Sequence, residues 1–257
     1  MDTFLNPIVF AGAMFAGMLA CLEIGRRVRL RRLSRNAGDS DEGVGAVEGA
    51  VFTLFGLLLA FTFSGAASRF DHRRELITQE ANAIGTAWLR IDLLPAADQP
   101  ALRAEFRDYV KARLDAYRDV SDAASTASAN DRGARLQAAI WHDGIGAAQR
   151  AQPPVSNLVA PALNDMFDIT TTRQSATLTH PPGAILLMLF ALGMAASLLT
   201  GFEIGASRTR RLFHTLAFVF AISATIYVIM DMEYPRLGFI RVDAADRMLA
   251  DVLRGMQ

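Results

Sequence analysis

Two carboxylates, Glu23 and Glu203, each close an apolar run and are followed within a few residues by arginines. A carboxylate in that position either pairs with guanidiniums to fix a helix end or lines an ion path. Past a second apolar run, Arg69, Asp71, His72, Arg73, Arg74 and Glu75 form a dense charge cluster. Gathered around an axis by several copies of the chain, Arg69 and Arg73 would bias a vestibule positive and concentrate anions. The alternative is a ring of arginines facing lipid headgroups, with acids in compensation. Asp231, Glu233, Arg236, Arg241 and Asp243 make a further cluster after the last run. Glu23, Glu203, Asp71, Asp231, Glu233, Arg236 and Arg241 are therefore the candidate structural charge network. Glu48 opens the second run, where the dipole of a helix's first turn favours an acid. No acid occupies the middle of any run, which argues against proton-coupled transport through a midplane carboxylate.

Signals for catalysis are missing. His72, His142, His180 and His214 are scattered, without a metal-protease pattern, and there is no phosphate-binding loop, dinucleotide glycine pattern or serine elbow. No metal and no cofactor is expected, and the chain does not read as an enzyme. Cys21 is the single cysteine and lies in an apolar run, so an intrachain disulfide is impossible.

The elements that must hold these residues are helices in lipid. The chain is 52% hydrophobic and 20% charged, with a mean hydropathy of +0.24. Apolar runs near residues 5–24, 47–67, 183–202 and 212–230 are each about twenty residues, enough for a helix to cross roughly 30 Å of hydrocarbon. The expected fold is an all-α integral membrane protein with four transmembrane helices and a helical soluble insertion between the second and third. Its expected parts are a first hairpin (1–67), the insertion (68–182), a second hairpin (183–230) and a short C-terminal tail (231–257). Asp2 is the only charge ahead of the first run, which suits a retained anchor better than a cleaved signal.

Orientation follows from the short loops. Residues 26–46 carry Arg26, Arg27, Arg29, Arg31, Arg32 and Arg35 against three acids, and the link after the third run carries Arg208, Arg210 and Arg211. The positive-inside rule places both loops in the cytoplasm, with the termini and the insertion outside it, in a multi-pass protein of the bacterial inner membrane. Within the insertion, Ile77, Ala81, Ile84 and Trp88 recur at helical spacing until Pro95. Further helices are expected near 100–119, 132–149 and 156–172, with a flexible polar link over 120–130.

The first and third runs end alike, in Glu23-Ile24-Gly25 and Glu203-Ile204-Gly205, each before arginines and another run. Common ancestry of two parallel hairpins and convergent boundary chemistry both explain the echo. Small residues at four-residue spacing (Ala13, Gly17, Cys21 in one helix; Gly56, Ala60, Ser64 in another) would admit close helix contact.

The second run and its sequel carry a resemblance. Gly56-Leu57-Leu58-Leu59-Ala60-Phe61-Thr62-Phe63-Ser64-Gly65-Ala66, Arg69-Phe70-Asp71, Arg73-Arg74 and Glu80-Ala81-Asn82-Ala83-Ile84-Gly85-Thr86-Ala87 resemble a family of bacterial membrane proteins called bestrophin-like. So do Leu89-Arg90, Pro161-Ala162-Leu163-Asn164, Met166-Phe167-Asp168, Arg173, and the tail Asp231, Glu233, Pro235-Arg236, Gly238 and Ile240-Arg241-Val242-Asp243. Bestrophins proper are homopentameric anion channels whose neck is lined by one span of each subunit. By that likeness Phe52, Phe55, Leu59 and Phe63 are candidates for an apolar constriction, with Arg69 and Arg73 above them on a candidate ion path. The implied partners are the lipid bilayer, further copies of the chain and small anions; nothing points to nucleic acid. Two features differ from bestrophins: the loop arginines place the insertion outside the cytoplasm, and no acidic run follows the last span. The alternative function is a non-conducting scaffold or envelope sensor that binds a partner through its helical insertion.

Overall fold

A computed structural model describes residues 6–35, 44–118, 123–151, 153–205, 212–235 and 238–256. In chain order the helices are α1 (Pro7–Arg35), α2 (Val44–Arg90), α3 (Gln99–Arg118), α4 (Ala123–Arg150), α5 (Ser156–Leu178), α6 (Gly183–Gly205), α7 (Leu212–Glu233) and α8 (Asp243–Gly255). A 3-10 turn, Ile91–Leu93, ends α2 ahead of Pro95, whose ring cannot continue a helix. Four helices are long and apolar enough to cross a membrane: α1, α2, α6 and α7. The protein is an all-α membrane protein with a helical insertion between its second and third spans. It divides into two compact units, Met1–Ser68 with His180–Ile240, and Arg69–Thr179 with Arg241–Gln257.

In the first unit, α1 and α6 run parallel, since contacting residues rise in number together along both. Met14 packs on Gly193, Met194 on Gly17, Leu22 on Gly201, and Arg29 on Gly205. Lipid tails are as apolar as the helix surfaces, so no hydrophobic gain drives these helices together; close packing of small residues does. At Gly25 an added Cβ would overlap the Leu198 carbonyl, and at Gly201 it would overlap that of Leu22. The Cys21 thiol lies 3.7 Å from the Met194 sulfur in the same seam. Both glycines of the Glu-Ile-Gly echo, Gly25 and Gly205, thus serve backbone contact between the two echoing helices. A core of Met14, Met18, Phe55, Leu189, Val219 and Ile226 fills the bundle around them.

The second unit buries Ile84, Trp88, Phe106, Tyr109, Ile140 and Met166 between α2, α3, α4 and α5. α8, at the C-terminal end, places Leu249 and Met256 in this core, and Arg107 donates to the Met256 carbonyl at 3.2 Å. The flexible link expected over 120–130 is corrected in part: residues 123–130 form the first turns of α4. Ala123, Ala124, Ala127 and Ala129 carry the highest helix propensity, which outweighs the few tenths of a kcal/mol lost at each serine, threonine or asparagine. Residues 119–122 lie outside the described residues. α5 also runs six residues past its expected end at 172.

The α1–α6 seam makes a direct test. Gly201→Ala must push two backbones apart and lose about 1–3 kcal/mol, the usual cost of overpacking. Gly12→Ala, where an added methyl meets nothing within 4 Å, should leave stability within about 0.5 kcal/mol. Thermal unfolding of the purified protein in detergent reads both; equal midpoints would refute the seam.

Candidate functional site

The second span of a four-helix chain must divide its surface between its own bundle and whatever lies beyond. In α2 one face turns inward: Phe55, Thr62 and Ala66 are buried, with Leu58 and Leu59 half-buried beside them. The opposite face, at a helical spacing of three and four, carries Ala46, Gly49, Ala50, Thr53, Leu57, Ala60, Phe61 and Ser64, all exposed. Leu57 is 52% and Phe61 66% exposed. An added Cβ at Gly45, Gly49 or Gly56 meets nothing within 4 Å. The Thr53 hydroxyl donates to the Gly49 carbonyl at 2.8 Å, and no charged side chain lies on this face from Gly49 to Ser64.

Against that division, the expected path residues separate. Phe55 is 2% exposed inside the bundle, and the Phe52 ring meets Phe218 edge-on at 5.8 Å. Leu59 is half-buried and Phe63 is 41% exposed. Beyond the span, Arg73 is buried and donates to the carbonyls of Ala176 (3.1 Å) and Thr179 (2.8 Å). A cation at these orphan carbonyls caps the C-terminal end of α5. Arg69 is half-buried, and Asp71 is exposed with Arg74 3.5 Å away.

The charge network likewise resolves into separate local groups. Glu23 accepts from Arg26 and from Arg27, each at 2.8 Å, on one turn of α1. Glu203 is exposed near Glu48, and the Thr200 hydroxyl on α6 donates to the Ala196 carbonyl at 3.0 Å. Asp231 is fully buried and accepts the backbone N–H groups of Phe239 (3.0 Å) and Ile240 (2.8 Å), closing the turn after α7. Gly238 sits against that carboxylate with no room for a side chain. Glu233 is buried 3.5 Å from His180 Nδ1, whose ring stacks on Tyr234 at 4.8 Å. Arg241 belongs to the second unit, and Arg236 lies outside the described residues.

The strongest electrostatic cluster gathers around Glu80, whose partners the sequence alone does not pair. Glu80 is fully buried; Arg113 donates to it at 2.8 Å, Arg173 donates to its other oxygen, and the Tyr117 hydroxyl lies 3.0 Å away. Both guanidiniums also lie over the Tyr117 ring, Arg173 at 3.5 Å and Arg113 at 4.8 Å. Burial alone would raise the Glu80 carboxyl, but the Arg113 and Arg173 charges overcome it and hold the group below the ordinary range. Burial pushes the Tyr117 phenol up. The signal was available: Glu80 lies three residues after Ile77 and four before Ile84, on the buried stripe, where a carboxylate demands a cation.

A second pair joins α3 to α4. Burial and a hydrogen bond with Asp143 push the Glu105 carboxyl up to about 7. Among the described residues no group of three or more His, Cys, Asp or Glu is placed to hold a metal ion.

A bestrophin-like domain model matches residues 12–246, nearly the whole span from α1 into α8. The chain belongs to the bestrophin-like family. Solved structures share the fold. A crystal structure of a membrane protein variant superposes with a TM-score of 0.72 at 15% identity, covering 97% of this chain and 98% of that one. A bacterial bestrophin homolog from Klebsiella pneumoniae, carrying a tryptophan-to-alanine mutation, gives 0.68 at 14% identity over 100% and 98% of the two chains. No curated protein matches the sequence. Of the motifs that carry the family likeness, Glu80 and Arg173 make the buried ion pair, Arg73 caps α5, and Asp231 and Gly238 make the turn after α7.

The two carboxyls titrate in opposite senses. Glu80, held low when folded, stabilises fully above the unfolded value of about 4.3, and that contribution is lost as pH falls through the folded value. Glu105, held high, keeps a proton the unfolded chain has released, so its contribution fades as pH rises from about 4.3 towards 7. Glu80→Gln should cost about 3–5 kcal/mol, because two buried guanidiniums lose their counter-charge. Glu105→Gln should flatten the decline between those pH values. Unfolding midpoints measured from pH 4 to 8 check both; a Glu105→Gln curve parallel to wild type would contradict the assignment.

Proposed function

We propose that several copies of this chain assemble through their membrane helices and conduct small anions along the outward face of α2. The observation that carries the reading is that face: Thr53, Leu57, Ala60, Phe61 and Ser64 turn away from the chain's own core and present no charge. Cation paths are commonly ringed by carboxylates, and α2 has none between Glu48 and Asp71. Leu57 and Phe61 are one turn apart, so a ring of each would form an apolar constriction that gates by dewetting. The family supports the same reading, since its likeness is to bestrophin channels. Phe63 then lies beside the path, while Phe52, Phe55 and Leu59 support α2 from within the bundle.

The reading is tested by chloride flux from proteoliposomes. Wild type should release chloride above empty liposomes, and Leu57→Ala or Phe61→Ala should raise the rate several-fold by widening the constriction. Phe55→Ala should instead cost about 3–5 kcal/mol of stability through a core cavity. No flux above empty liposomes across pH and calcium would overturn conduction and favour a scaffold that binds a partner through its helical insertion.

The orientation that suits the loop arginines sets the α1 and α6 C-terminal ends in the cytoplasm of an inner-membrane protein. The termini and residues 68–182 then lie outside. In a Cys21→Ala background, a cysteine introduced at Ser125 should react with an impermeant maleimide on intact spheroplasts, and one at Ser40 should not. The opposite pattern would reverse the orientation.

A further inference from the structure

α1 is longer than a membrane requires. Its 29 residues span about 43 Å at 1.5 Å each, against roughly 30 Å of hydrocarbon, so the last turns stand in and beyond the headgroup layer. Those turns carry six arginines in ten residues, and their helical positions sort them into two sets. Arg29 and Arg32 lie towards α6, over the Phe202 ring at 4.8 and 5.7 Å. Arg27, Arg31 and Arg35 recur every four residues on the face turned away from the α6 seam, and all three are exposed. Glu23 is shared between Arg26 and Arg27, and among the described residues no acid pairs with Arg31 or Arg35.

Exposed apolar side chains interleave with these arginines along the same part of α1. Ile24 and Val28, four residues apart, are 52% and 42% exposed. Exposed aliphatic side chains interleaved with guanidiniums, at the depth where hydrocarbon gives way to headgroups, match one chemistry. The aliphatic groups meet acyl chain, and the planar forks of Arg27 and Arg31 meet phosphate oxygens in bidentate fashion. A free inorganic anion would use the guanidiniums but leave Ile24 and Val28 without a partner.

We propose that the outward face of the α1 extension is a binding site for an anionic phospholipid of the adjoining leaflet, held by Arg27, Arg31 and Arg35 beside Ile24 and Val28. The site is independent of conduction and requires no particular orientation across the membrane. Its position at the end of a helix locked to α6 through Gly25 and Gly205 makes it a place where membrane composition bears on the bundle.

Native mass spectrometry of the full chain in neutral detergent, titrated with phosphatidylglycerol or phosphatidylcholine, tests the site. Wild type should retain phosphatidylglycerol at concentrations where phosphatidylcholine is lost, with affinity falling as salt rises. The triple variant Arg27→Gln, Arg31→Gln, Arg35→Gln should weaken phosphatidylglycerol binding by about tenfold or more, since each guanidinium near an anionic surface contributes separately. The matching triple to lysine should keep part of the preference. Lys111→Gln with Arg132→Gln and Arg135→Gln, the same charge change in the second unit, should leave it intact. Equal binding of the two lipids, an unaffected glutamine triple, or equal competition by inorganic phosphate would overturn the proposal. So would a glutamine triple that changed the number of subunits, because the face would then be a contact between copies.

Discussion

Two helices that meet backbone to backbone in lipid can do so only where side chains are absent, and α1 and α6 meet at Gly17, Gly25, Gly193, Gly201 and Gly205. In water, burying leucine against leucine would hold such a pair. In hydrocarbon it gains almost nothing, so dispersion between well-fitted surfaces has to suffice, and fit at this range tolerates no added carbon. That constraint fixes the parallel course of the two helices. Parallel neighbours must be joined by a connection that recrosses the membrane, which α2 supplies. α7 and the inward face of α2 then fill the bundle around Met14, Met18 and Phe55.

Past residue 68 the same helix α2 enters a different solvent regime, and the device that organises it changes accordingly. Glu80 is buried with two arginines, from α3 and α5, and with Tyr117 of α3. An aqueous hydrophobic core has the apolar driving force that lipid lacks, but it is non-directional and specifies neither register nor partner. A buried carboxylate that must find two particular guanidiniums does both, because any slip of α3 or α5 by a turn strands a charge. Arg73 adds a further directional tie, closing α5 through the carbonyls of Ala176 and Thr179.

Hydropathy made the spans legible, and helical periodicity with prolines made most of the insertion legible, since both report on single segments. The polar stretch before residue 132 misled because serine-rich composition resembles a link, whereas its alanines favour helix and a long partner in α3 lies alongside. The Glu-Ile-Gly echo pointed to the right helix pair, although its glycines turned out to matter more than its glutamates. Glu23 serves only its own turn, and Glu203 is exposed. The faces of α2 were not legible. Aromatic residues attract attention in a span, and Phe52, Phe55 and Phe63 are conspicuous, but nearly every residue there is apolar, so periodicity gives no sign of which side is inward. The packing decides it, burying Phe55, Thr62 and Ala66 and setting the Phe55 ring against Gly193.

That decision has a consequence for how a path can be built. Among the described residues the centre of the bundle is filled by Met14, Met18, Leu22, Phe55, Leu189, Val219, Ile226 and Met230, and that packed centre gives no reason for α2 to keep small groups on its far side. Lipid contact alone would be served equally well by leucine, isoleucine or phenylalanine at Gly49, Thr53, Ala60 and Ser64. Small residues and hydroxyls over five turns are useful where another surface comes close or where water must be accommodated, and both conditions arise around an axis shared by copies of α2. The bulky exceptions on that side, Leu54, Leu57 and Phe61, lie within two turns. Under the proposed assembly, an otherwise small-sided lining would have its apolar bulk gathered within two turns, a geometry that suits a narrow dewetting gate.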